Sequence, residues 1–155
     1  MSDMDRWLVE YGERHADIRL PGVYWVCVVT LVPATVGMLW SLPVPEEFVR
    51  ISPVLNWGSA FLMAAVVYYF IISMPLAIGM LPFVVGVAAA EIRIVESPYP
   101  LAGISAALFA ASVIGLWLGH RGQDGIRGVV HDLQMIMIAP AWLLSVLYRR
   151  FGIPY

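Results

Sequence analysis

The chain has 155 residues, of which 61% are hydrophobic and 13% charged, about half the roughly 25% charge of an ordinary soluble domain. Its formal net charge of -2 leaves no electrostatic footprint for a nucleic-acid partner. This composition excludes a typical soluble domain and predicts a single all-α integral membrane domain.

Residues 3–18 carry Trp7, Leu8, Tyr11, His15 and Ile18 at helical spacing on one face, with Arg6, Glu10, Glu13, Arg14 and Asp17 on the other. That pattern predicts an amphipathic helix resting on the membrane or on the end of a bundle. The first 21 residues mix three arginines with five acids, unlike the basic start and apolar core of a secretory signal, so the segment is expected to be retained.

No Asp, Glu, Lys, Arg or His occurs from Ile51 to Ala90, from Ser97 to Gly119, or from Leu133 to Tyr148. About 20 such residues suffice to span a bilayer. Four transmembrane helices are expected, at 22–42, 54–73, 75–90 and 101–119, with the middle two joined as a tight hairpin at Ser73-Met74-Pro75. In the fourth, Gly103, Ala107, Ala111 and Gly115 recur every four residues, a small-residue stripe that predicts close helix packing.

The last apolar run, 133–148, contains Pro140 and as a helix reaches only about 24 Å at ~1.5 Å per residue. Positive charge collects in short cytoplasmic loops. Four spans place Arg6, Arg14, Arg19, Arg121, Arg127, Arg149 and Arg150 on one side and Arg50 and Arg93 on the other, seven against two; a fifth span weakens that bias. The expected architecture is therefore a four-transmembrane-helix bundle in a bacterial cytoplasmic membrane, both termini cytoplasmic, with an N-terminal amphipathic helix and a C-terminal interfacial or re-entrant helix.

The sole cysteine, Cys27, excludes an intramolecular disulfide and a CxxC metal site. There is no Gly-rich phosphate loop, GxSxG elbow or HExxH helix. The predicted spans hold no ionisable residue of the kind a coupled transporter places there, and Glu91 and Arg93 read as a pair at a span boundary. The four-span topology brings all three histidines, His15, His120 and His131, to one membrane face. With Asp124 or Asp132 they supply the residue types of a non-haem iron site, two histidines and a carboxylate with open positions for oxygen and substrate.

Several short motifs occur in order along nearly the whole chain: Trp7-x3-Tyr11-x3-His15, Leu39-Trp40-Ser41-Leu42-Pro43, Tyr69 followed by Pro75-Leu76-Ala77-Ile78-Gly79-Met80, Gly119-His120, Asp132-Leu133-Gln134 and Ala139-Pro140. Together they resemble the Mpo-type multi-pass membrane proteins, a family whose characterised fungal member is an iron(II)-dependent dioxygenase of fatty acid alpha-oxidation. The resemblance implies an Fe(II) cofactor and oxidation of a 2-hydroxy fatty acid by O2 to the shortened acid and carbon dioxide. It makes His15, His120, His131, Asp124 and Asp132 the candidate metal ligands, and Tyr11 and Tyr24 the candidate catalytic residues. The family pattern Tyr-x3-His-x4-Asn-x3-His is kept at Tyr11 and His15 but departs at Leu20 and Tyr24. After Gly119-His120, its glutamate position falls at Gln123 or Asp124 and its proline near Arg127. These departures leave open a non-catalytic relative that binds lipid or a partner. The expected partners are the bilayer, a 2-hydroxy fatty acid and O2, with a homo-oligomer left open.

Overall fold

A computed structural model describes Arg6, Glu13, residues 21–119, Arg127, Val130, Ile136 and residues 138–152. Arg6 and Glu13, both expected on the polar face of the 3–18 helix, are helical and exposed. The described residues form helices without strands: α1 (Pro21–Trp40), α2 (Glu46–Ile51), α3 (Trp57–Ile72), α4 (Met74–Val95), α5 (Leu101–Gly119) and α6 (Ile138–Phe151). Three of them, α1, α4 and α5, are long and apolar enough to cross a membrane.

Helix α1 is the centre of the bundle and touches α3, α4, α5 and α6. Its threonine hydroxyls, and that of Ser41 just beyond its end, are satisfied internally: Thr30 donates to the Val26 carbonyl at 2.7 Å, Thr35 to Leu31 at 2.8 Å and Ser41 to Gly37 at 2.8 Å. Such back-bonding lets a polar side chain sit in an apolar helix without a buried orphan.

Antiparallel to α1 runs α5, in a register set by small residues. A Cβ at Gly37 would meet Ser105, one at Gly115 would meet Cys27, and Gly119 lies against Tyr24. The buried face of α5 is Ser105, Ser112, Gly115, Leu116 and Gly119, whereas Gly103, Ala107 and Ala111 are exposed. Of the four-residue stripe only Gly115 therefore belongs to the packing face. At 3.6 residues per turn, steps of four drift about 40° each and wind off the contact, while the seven-residue steps Ser105, Ser112 and Gly119 drift by only about 20°.

Helix α3 begins at Trp57, three residues later than the apolar run suggests, because Asn56 caps it. The Asn56 side chain accepts from the Ser59 amide at 3.0 Å, and the Ser59 hydroxyl accepts from the Asn56 amide at 2.9 Å. This capping box ends the preceding loop sharply and leaves α3 with 16 residues, about 24 Å long. Its buried face, Gly58, Leu62, Ala65 and Tyr69, has the spacing of one helical stripe. At its other end Ser73 is the only residue between α3 and α4, with φ -160° and ψ 120°, and Pro75 enters the first turn of α4, where its missing N–H costs nothing.

Helix α4 continues to Val95, beyond the expected end at residue 90, so Glu91 and Arg93 lie within it. It runs parallel to α1: Val29 shares a cavity wall with Gly79 and Phe83, Val36 packs with Val87, and Gly37 faces Glu91.

Helix α6 starts inside the bundle. Ile136, just before it, lines cavities with Val32 and Phe61 and with Thr35 and Phe109. Trp142 then stacks on Trp25, and the Tyr148 hydroxyl donates to the Pro75 carbonyl at 3.3 Å. Pro140 falls in the first turn, where proline is tolerated, and Gly152 at φ 67° ends the helix in the left-handed conformation typical of a C-terminal glycine. Gly119 sits at the level of Tyr24, whereas Ile136 sits eight to eleven residues further along α1, about 12–16 Å away at ~1.5 Å per residue. Gly119 thus lies at the bundle end and Ile136 in its interior, and α6 returns to that same end.

Candidate functional site

One end of the bundle gathers the starts of α1 and α4 and the ends of α3, α5 and α6. Here Tyr24 is fully buried among Val28, Leu31, Leu116 and Ala139, with its ring edge-on to Trp25 at 5.1 Å. Tyr24 also covers Gly119, the residue that precedes His120 in the chain. Of the expected site residues, Tyr24 is the one that the structure describes. Tyr11, His15, His120, Asp124, His131 and Asp132 lie outside the described residues. Among the described residues no group of three or more His, Cys, Asp or Glu side chains could hold a metal ion.

Beside this end, α1, α4 and α6 enclose an open groove of about 400 Å³. Val29, Gly79, Met80, Phe83, Pro140 and Leu144 form apolar walls, and at one end of the α6 wall Arg150 is the charged lining residue among the described residues. From Pro140 to Arg150 the α6 wall measures about 15 Å at ~1.5 Å per residue. The groove depends on Gly79: any Cβ there would run into the Tyr148 ring and come within 2.7 Å of Leu144. Sequence reading marked Gly79 only as part of an ordered motif; the close approach of α6 explains why the position is glycine.

The opposite end holds a polar group that sequence reading assigned to a span boundary. Glu91 is 3% exposed, and its Oε2 has no hydrogen-bond partner among the described residues. It follows Met80, Val84 and Val87 at steps of four, three and four, so it continues the inward stripe of α4. Arg93, two residues on, is exposed and faces elsewhere. The signal available in sequence was a glutamate within a long apolar run with no basic residue three or four positions away. Glu91 and Tyr24 mark separate places: from Tyr24 to Gly37, which faces Glu91, α1 rises about 20 Å at ~1.5 Å per residue.

Compared with protein-family models, curated proteins and solved structures, the chain matches none.

Proposed function

We propose that the chain is a four-span integral membrane protein of the Mpo-type that takes a 2-hydroxy fatty acid from the bilayer and oxidises it with iron(II) and O2. The observation that carries the lipid part is the open apolar groove of α1, α4 and α6, with Arg150 in its lining. Its walls suit an acyl chain and the Arg150 cation suits a carboxylate.

The spanning part is supported by the outer surface, where Ile71 is 79% exposed, Val26 67% and Val85 63%. Exposed aliphatic side chains on long apolar helices are costly in water and at home in lipid. In this reading α1, α3, α4 and α5 cross the bilayer, with short α3 matched by local thinning. Trp40 and Trp57 mark one interface, and α6 enters from the cytoplasmic side and leaves by it. Both termini are then cytoplasmic.

Iron(II), held by His15, His120 and His131 with Asp124 or Asp132, would supply oxygen activation at that face. The overall reaction balances as 2-hydroxy acid plus O2 giving the acid one carbon shorter, carbon dioxide and water. The chain's own part is to hold the substrate carboxylate near Arg150 and the acyl chain along α6.

A second reading, a non-catalytic lipid-binding relative, is favoured by Tyr24. It occupies a histidine position of the family motif and is fully buried in an apolar cluster. Incubation of purified, iron(II)-loaded protein with 2-hydroxypalmitate and O2, beside His15→Ala and His120→Ala variants, separates the two. The catalytic reading expects the shortened acid and stoichiometric iron in the wild type, both lost in the variants. Fatty acid binding without turnover, with iron equal in all three, establishes the second.

A further inference from the structure

The end of the bundle away from the groove carries a site that neither reading uses. Helices α1, α4 and α5 come together there through Gly37, Glu91 and Ser105. A methyl group placed at Gly37 would meet the Ser105 hydroxyl and lie 2.9 Å from Glu91 Oε2. Ser105 and Glu91 are each 3% exposed. The three positions lie about one helical turn in from the end of α1, the end of α4 and the start of α5.

No cation offsets this carboxyl among the described residues. Helices α1 and α5 contain no acidic or basic side chain, and the other titratable groups of α1, Tyr24 and Cys27, lie toward its opposite end, as do Tyr68 and Tyr69 of α3. Arg93 of α4 is exposed on another face, and Arg50 of α2 is exposed and pairs with Glu46 at 3.9 Å. An ionised carboxylate buried without a counter-charge or full hydrogen bonding is strongly disfavoured, so such a group neutralises itself by taking a proton. Ionisable residues inside spanning helices are costly and generally functional.

We propose that Glu91, with Ser105 beside it and Gly37 giving it room, is an intramembrane proton-binding site. The site holds its proton at neutral pH and is closed to water. A metal ion fits less well, because one carboxyl and one hydroxyl supply too few oxygens for a hard cation, and the Gly37 carbonyl already accepts from the Ser41 amide and hydroxyl. This inference rests on α4 crossing the bilayer, which recovery of the full chain in carbonate-washed membranes reports separately.

The test is chemical modification of the full chain in membranes at neutral pH with the apolar reagent dicyclohexylcarbodiimide, followed by peptide mapping. The protonated carboxyl adds across one C=N bond of the reagent to give an O-acylisourea, which rearranges to a stable N-acylurea; no oxidant or reductant is needed. The expected result is modification at Glu91, lost in Glu91→Gln, unchanged between sodium and choline chloride, and not reproduced by a water-soluble carbodiimide. An infrared carbonyl band of a protonated acid, present in wild type and missing in Glu91→Gln, provides a readout independent of the reagent. Absence of both modification and band in the membrane-embedded wild type overturns the proposal. Protection by sodium overturns it in favour of a metal cation, and equal reaction with the water-soluble reagent overturns the closed site.

Discussion

Trp25 of α1 and Trp142 of α6 stack with ring centroids 4.7 Å apart and planes 10° from parallel. This pair holds the C-terminal helix against the central one and packs against the cluster of Tyr24, Leu31, Leu116 and Ala139. Stacked aromatic pairs contribute beyond the area they bury, typically by ~0.5–1.5 kcal/mol. A double-mutant cycle of Trp25→Ala and Trp142→Ala, followed by unfolding in detergent, should return a coupling of that size. Strictly additive single-variant effects would show that α6 is held by something other than this stack.

Gly79 should be intolerant of substitution for a reason specific to α6. Its would-be Cβ meets the ends of the Tyr148 and Leu144 side chains, so in Gly79→Ala those side chains must shift, and overpacking of this kind costs about 1–3 kcal/mol. Adding Tyr148→Leu removes the ring that is struck and should restore part of the loss, a coupling that neighbouring residues are expected to show. If Gly79→Ala and Tyr148→Leu instead add their costs, the close approach of α4 and α6 is not what makes glycine necessary there.

How much of this was legible beforehand depends on which physical signal each feature leaves. The hairpin at Ser73 was legible because Ser73-Met74-Pro75 stands near the middle of a 40-residue run without charge. Hydropathy alone starts the second span at residue 54, whereas the capping-box spacing of Asn56 and Ser59 starts α3 at Trp57. The packing face of α5 was misread for a different reason: in a helix that is apolar all round, no polar side marks which face is inward, and a tidy four-residue repeat is not a helical period. The same blindness hid Glu91. Its inward position follows from Met80, Val84 and Val87, which look no different in sequence from their outward neighbours. The histidine and aspartate candidates at 15, 120, 124, 131 and 132 rest on sequence pattern and resemblance.

The Asn56 cap permits a local test of the α3 boundary. Asn56→Ala leaves the Ser59 amide without its acceptor, and loss of an N-cap costs typically ~1 kcal/mol. Asn56→Asp keeps an acceptor and should retain most of the stability. Equal losses in the two variants would mean that Asn56 acts through its bond to the Val54 carbonyl, at 3.1 Å, rather than as a cap.

Arg150 should matter to an anionic amphiphile and not to a neutral one. It is the charged member of the groove lining, and it is exposed, so solvent screens it and an interaction of surface-pair size is expected, roughly a two- to fivefold change in affinity. Arg150→Gln should weaken binding of a fatty acid by that factor while leaving its methyl ester unaffected. An equal loss for both ligands would assign the effect to the shape of α6, and no loss for either would remove Arg150 from the lipid site.

The path of α6 makes a directional prediction about topology. Ile136 shares cavity walls with Val32 and Thr35 deep along α1, yet Tyr148 reaches Pro75 at the start of α4, so α6 leaves the bundle at the end where α1 begins. In a Cys27→Ser background, single cysteines at Gly22 and Gly152 should react with a membrane-impermeant maleimide from the same side, and one at Ile136 should react from neither. A carboxy-terminal fluorescent fusion should glow and a phosphatase fusion stay silent, as cytoplasmic placement requires. Labelling of Gly22 and Gly152 from opposite sides would turn α6 into a crossing helix and move Arg149 and Arg150 outside, against the arginine bias that otherwise favours four spans.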